Sequence, residues 1–334
     1  MSLGRSAGAP DGGLPGLNRG DAGRRSGGFA LWRPGRAVRA LARGALDDFI
    51  TTLFPGDCRV CEAALVRAGA TPVCGDCLAR VLPQNGLLCQ VCGEALVTER
   101  GMESERFAES FGEARMCTPC RRVPPEFRRA VAYGVYEGKL REMVHLLKYE
   151  RMTGLGQPLG RMLAGAMELL GDEISAAVGE VLVVAVPLFR AKERGRGFNH
   201  AAMLADGALR ELKRRRPEWK MRAAHDGIER VRETESQFGL TPRARRLNLR
   251  GAFAVRDADR FRGRDVLLVD DMYTTGATAR ACAQVLRRAG ARSVLVATVA
   301  RAQVESVAMW DAAVVQRSPT EQLEEIAMGA GGHR

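Results

Sequence analysis

The sequence predicts an α/β protein with an open, mostly parallel sheet, preceded by a small cysteine-rich module. Three observations carry that expectation. From residue 129 to 299, short apolar runs alternate with helical periodicities, as strands and crossover helices do in a sheet covered on both faces. Between residues 58 and 120, eight of the nine cysteines fall into four C-x-x-C pairs. At Val123-Pro124-Pro125 the texture changes from the second pattern to the first.

The elements follow in order. Residues 1–36 are rich in Gly, Arg, Pro and Ser and cannot supply a packed core. Over 37–54, Val38, Leu41, Ala42, Ala45, Leu46, Phe49, Ile50 and Leu53 recur at helical spacing and predict an amphipathic helix ending near Pro55-Gly56. Beyond the cysteines, 129–136 reads as a strand, 139–149 as a helix, 181–186 as a buried strand and 199–214 as a helix. Residues 265–270 form a strand, 278–288 a helix capped by Gly290, and 293–299 a last strand. Expected boundaries are a leader over 1–45, a cysteine module over 46–125, the main domain over 126–315 and a tail over 316–334. His145, among Val144, Leu146 and Leu147, reads as a packed histidine, and Cys282 as a small core residue.

Composition excludes some classes. No stretch of 18 apolar residues exists to span a membrane, and the N-terminus lacks a secretory pattern, which together predict a cytoplasmic protein. The formal charge is +12, but residues 1–45 hold eight Arg against two Asp, so half the excess lies in the leader. Only five of the 51 basic residues are Lys, a bias that a GC-rich genome explains, and a solvated surface and a functional basic patch both stay open. Lys213-Arg214-Arg215-Arg216 is the best local cationic patch, and aromatic residues, at 5%, offer no evident base-stacking platform.

The pairs Cys58/Cys61, Cys74/Cys77, Cys89/Cys92 and Cys117/Cys120 supply eight ligands, enough for two structural zinc ions in closed four-thiolate sites. Chain order would join the first two pairs across 12 residues and the last two across 24; interleaved pairing stays open. Disulfides are the alternative, disfavoured in a chain without a secretion signal.

The segment 266–278 carries the chemistry. The strand Val266-Leu267-Leu268-Val269 delivers Asp270 and Asp271 to its C-terminal edge, where open α/β sheets place ligands. Thr274-Thr275-Gly276-Ala277-Thr278 then opens a helix, whose unpaired N–H groups favour a phosphate while the threonine hydroxyls add donors. Carboxylates beside a phosphate make sense if they accept hydrogen bonds from vicinal ribose hydroxyls. A Walker loop is excluded, since its second Gly and its Lys are missing.

At these residues the chain resembles the type I phosphoribosyltransferases, which bind phosphoribosyl pyrophosphate (PRPP). Further pieces narrow the resemblance to the ComF family: the N-terminal cysteine pairs, Lys148-Tyr149, Val186-Pro187-Leu188, Arg196-Gly197-Phe198-Asn199, Arg232-x-Thr234-x-x-Gln237, Arg246-x-Asn248 and Gly251-Ala252-Phe253. The likeness spans about residues 46–302. It implies that Asp270 and Asp271 meet the ribose hydroxyls and that Thr274, Thr275, Gly276, Ala277 and Thr278 hold the 5-phosphate. Pro187 and Leu188 would face the diphosphate, and Arg194, Arg196 and Asn199 would offset its charge. Lys148 would also contact PRPP, and Arg232 and Gln237 would lie in a loop closing over it. His200 stands where the family has Gln. The implied reaction is transfer of phosphoribosyl to an unknown nitrogen acceptor with release of pyrophosphate, aided by Mg²⁺. The family association further implies uptake of transforming single-stranded DNA and a competence helicase as partner. The alternatives are a non-catalytic accessory protein that binds single-stranded DNA and a PRPP-sensing regulator without turnover.

Overall fold

A computed structural model describes residues 56–65, 71–96, 115–234, 244 and 247–303. The helix expected over 37–54, the tail over 316–334 and Gln237 lie outside the described residues.

Seven strands and eight α-helices follow one another in the described chain. Helix α1 (Gly75–Ala79) and α2 (Thr118–Arg122) belong to the cysteine segments, and strand β1 (Arg129–Val135) opens the sheet. Then come α3 (Gly138–Tyr149), α4 (Gly156–Glu168), α5 (Gly171–Ser175), β2 (Val181–Ala185), α6 (Arg190–Arg196) and α7 (His200–Arg215). Short strands β3 (Met221–Ala223), β4 (Ile228–Arg230) and β5 (Phe253–Val255) precede β6 (Asp265–Tyr273), α8 (Ala277–Arg288) and β7 (Ser293–Arg301).

Five strands pair in the order β1-β7-β6-β2-β3, all parallel, while β4 and β5 form a separate antiparallel pair. Strand β6 is central because it is apolar on both faces. Leu267 and Val269 pack in one core with α3, α4 and α7, and Val266 and Leu268 pack in the other with α8. Each of these four side chains is fully buried, contributing roughly 1.5–3 kcal/mol. Helix α7 reaches its place by close backbone contact with α4, where a Cβ on Gly160 would lie 2.9 Å from the Gly207 Cα. That approach fixes the N-terminus of α7 beside the end of β6.

Two departures from expectation matter. Strand β6 continues three residues past Asp270, because Met272 and Tyr273 keep their parallel partners Ala300 and Arg301 on β7. His145 is exposed, not packed: its ring stands 4.6 Å from that of Tyr149 on the outer face of α3. The apolar neighbours that suggested burial occupy the other face of the helix.

Candidate functional site

Strand β6 runs through both acids, yet a carboxylate oxygen of each converges with a His200 nitrogen, all within 4.8 Å of one another. Asp271 turns toward α3 and α7. Its Oδ2 lies 2.5 Å from Lys148 Nζ and 3.3 Å from His200 Nε2, and its side chain is 5% exposed. Asp270 turns toward α8 and β4, and its Oδ1 accepts from the Asp271 amide at 2.9 Å. Burial pushes the Asp270 carboxyl up to about 7, against the opposing pull of the Lys148 and Arg230 charges. One carboxylate is thus held by a close ion pair, while the other is destabilised as an anion.

Beyond Tyr273 the chain makes the turn 274–276 and enters α8. Gly276 caps this helix at φ 72°, a conformation that disfavours a side chain. A Cβ there would also fall 2.1 Å from the Tyr273 hydroxyl. The glycine is required by the tyrosine ring beneath it as well as by the turn. Thr275 Oγ1 is buried with no hydrogen-bond partner among the described residues. Leaving such a hydroxyl unpaired costs about 1–3 kcal/mol, which a bound acceptor would relieve.

The loop after β2 borders the same edge. The Val186 amide donates to the Val269 carbonyl at 2.8 Å, Pro187 is buried and Leu188 half-buried. Asn199 Nδ2 donates to the Val186 carbonyl at 3.1 Å, while its Oδ1 accepts from the Ala201 and Ala202 amides at 2.9 and 3.3 Å. With both ends of its amide engaged, Asn199 pins this loop to α7. Arg194 is exposed on α6, the helix that also carries Arg196. Arg232 donates to the carbonyls of Asn248 at 2.7 Å and Arg250 at 3.0 Å. It closes the base of the long connection between β4 and β5 while remaining exposed.

The thiols gather in two groups, Cys58/Cys61/Cys74/Cys77 and Cys89/Cys92/Cys117/Cys120, so chain order sets the pairing. Sulfurs of neighbouring pairs stand 3.6–3.9 Å apart. That is far beyond a disulfide length of about 2.05 Å and close to the tetrahedron edge, about 3.8 Å, that Zn–S distances of about 2.3 Å produce. The donor set and spacing fit a closed zinc site in each group. Both groups share one construction. The first pair lies in a hairpin turn whose following residue has positive φ, 60° at Glu62 and 70° at Gly93. The second pair starts at a short helix, α1 or α2. The amides of Cys74 and Cys117 each donate to the first sulfur of their group, Cys58 and Cys89, at 3.3 Å.

The chain is similar to several known proteins. A family model for the phosphoribosyl transferase domain matches residues 201–325. "DNA utilization protein YhgH" of Escherichia coli O157:H7 is 31% identical over 210 residues, 63% of this chain and 88% of the relative. The Salmonella typhimurium protein of the same name is 30% identical over 244 residues, 72% of this chain and 95% of its own. "Competence protein F" of Haemophilus influenzae is 28% identical over 190 residues, covering 57% and 80% respectively. The chain belongs to the ComF family. It has a phosphoribosyltransferase-type α/β domain and zinc-ribbon-like cysteine groups before it. His200, which stands where the ComF pattern has Gln, faces Asp271.

Sequence reasoning missed Arg230. Its guanidinium is drawn to Asp270, donates to Thr234 Oγ1 and lies 5.7 Å from the Phe253 ring centroid. No periodicity marks an arginine in a three-residue strand, so only the preceding recognition of β4 could have found it. The cationic run 213–216 is also changed by its surroundings. Arg214 and Arg215 pair with Glu211, and Arg215 and Arg216 with Glu168. No helix among the described residues is long and apolar enough to cross a membrane.

Proposed function

We propose that this protein binds PRPP at the C-terminal edge of the sheet and transfers its phosphoribosyl group to a nitrogen nucleophile. A C1–N bond forms, the C1–O bond to pyrophosphate breaks, and the bonding pair leaves with pyrophosphate while the nitrogen loses a proton. The observation that carries the reading is the buried, unpartnered Thr275 hydroxyl in the turn that opens α8. A phosphate oxygen would accept from it, and the first amides of α8 would add donors and a favourable dipole.

Around that anchor each residue has a share. Asp270 and Asp271 accept from the ribose hydroxyls, with Lys148 and His200 holding Asp271 in place. The backbone at Pro187 and Leu188 faces the diphosphate, and Arg194 and Arg196 on α6 offset its charge. Mg²⁺, when bound, would neutralise the diphosphate through oxygen ligands, keeping most of its coordination on phosphate and water. The protein supplies position and electrostatics, and no dedicated base is required. Two zinc ions in the closed thiolate groups are structural. The relatives named for DNA utilization and competence support a setting in the handling of transforming DNA.

Two measurements test this. Thr275→Ala is expected to weaken ribose 5-phosphate binding about tenfold, the equivalent of 1.4 kcal/mol, with the melting temperature unchanged or slightly raised. Unchanged affinity would refute the phosphate assignment. Incubation with PRPP, Mg²⁺ and a panel of bases should release pyrophosphate with one of them. Binding without release under any base would replace the transferase by a PRPP sensor.

A further inference from the structure

Two arginines tie the ends of the phosphate-holding turn to the second thiolate group. We propose that this group is the platform that sets the turn's shape, with Arg301 and Tyr273 as positioning residues. The inference rests on the proposed phosphate role of residues 274–278.

The linkage can be followed atom by atom. Arg301, at the end of β7, is 3% exposed. It donates through Nη1 to the Cys92 carbonyl at 2.5 Å and through Nη2 to Cys92 Sγ at 3.5 Å, and it pairs with Glu94. Its guanidinium lies 4.4 Å from the Tyr273 ring centroid. Tyr273, 5% exposed, is the last residue of β6, and its hydroxyl occupies the space that a Cβ on Gly276 would need. Phe127 meets the same ring edge-on at 6.3 Å. On the other side of the turn, Arg280 in α8 donates to the Val123 carbonyl at 2.7 Å and points Nη2 at Cys120 Sγ, 4.0 Å away. Cys92 is thereby joined to the strand before the turn, and Cys120 to the helix after it.

Charge explains why the arrangement holds. Four thiolates around a divalent ion carry a net charge of about −2, and an arginine cannot shed its proton to escape burial. A buried Arg301 therefore needs the sulfur and Glu94 where they are, and the stacked Tyr273 ring follows the guanidinium. The first thiolate group provides a contrast. It packs in the opposite core, where Lys139 Nζ on α3 donates to the Val60 carbonyl at 3.1 Å.

The test is reciprocal, because coupling between two binding events acts equally in both directions. Full-length protein loaded with zinc is titrated at equilibrium with a chromogenic chelator, with and without saturating ribose 5-phosphate, and calorimetry reads the sugar phosphate in the same samples. The sugar phosphate is expected to tighten one of two zinc equivalents at least about 5-fold and leave the other unchanged. Tyr273→Phe keeps the ring and should keep the effect. Tyr273→Leu should abolish it while both ions remain bound, and Arg280→Gln, nearer the surface, should cut it to under half. Sugar phosphate bound with no change in either zinc affinity overturns the proposal, as does uptake of a single zinc equivalent. Absence of sugar-phosphate binding in the calorimeter overturns the proposed function itself, and the coupling with it.

Discussion

Asp270 and Asp271 share a sequence type and differ in what surrounds them. The ordinary Asp270 value of 3.8 is raised by burial to about 7. Below about pH 4 the carboxyl is protonated in folded and unfolded chains alike. Between 3.8 and about 7 the folded chain keeps a proton that the unfolded chain releases, so stability falls as pH rises through this window and the full penalty stands above it. Asp270→Asn should therefore leave stability unchanged near pH 4 and raise it at pH 8 by on the order of 2–4 kcal/mol, measured by denaturant unfolding. A pH-independent difference between the two proteins would contradict the buried-carboxyl account. In the wild type, ribose 5-phosphate affinity should also rise between pH 6 and 8 more than in the Asn variant, since ribose hydroxyls bind the ionised form.

Asp271 sits in a different setting. Lys148, 2.5 Å away and 14% exposed at its side chain, forms an ion pair with its carboxylate. Lys148→Met leaves a buried carboxylate with His200 and the Asp270 carboxyl beside it and should cost about 3–5 kcal/mol. Adding Asp271→Asn should recover most of that loss, because the stranded charge goes with it. A double variant as unstable as the single one would place the cost in packing instead.

Much of the element order was legible because each signal is local. The apolar run 266–269 read as a buried strand and forms one, and the helix expected over 199–214 forms as α7, with Asn199 outside it as a cap through two bonds. The end of β6 was not legible, since adjacent acids look like a strand terminus until the β7 partners Ala300 and Arg301 are known. Nor was the duty of Arg301, whose partners Cys92 and Glu94 lie more than 200 residues away in sequence. The four C-x-x-C turns announced themselves by spacing alone, but their doubled hairpin-and-helix construction did not. Their environments differ: Cys61 is exposed, whereas all four cysteines of the second group are buried. Under a strong chelator, zinc release should be biphasic, with the first equivalent leaving from the Cys61 group. Each closed site contributes on the order of 10 kcal/mol of folding free energy, so loss of the second equivalent should lower the melting temperature far more than loss of the first if the second group also holds the sheet. Simultaneous release of both ions would remove that distinction.

Charge is distributed unevenly along the protein, and this bears on whether nucleic acid binds it. Of the formal +12, residues 1–45 carry eight arginines against two aspartates. Over the described residues many cations already face an acid: Arg215 and Arg216 reach Glu168 at 3.2 and 3.4 Å, Arg222 reaches Glu180 at 2.6 Å, and Arg260 reaches Asp226 at 2.8 Å. Such surface pairs add little stability, yet they leave less uncompensated charge for a phosphate backbone. Single-stranded DNA binding, if the relatives' DNA connection extends to this chain, should then depend heavily on residues 1–45. Each phosphate neutralised contributes a slope of about −0.7 to the dependence of log K on log salt. Removing a net charge of +6 should flatten that slope by up to about 4 and weaken binding at low salt. An equal slope with and without residues 1–45 would move the contact to the sheet domain, where Arg210, Lys213 and Lys220 around Trp219 are the cations to substitute next.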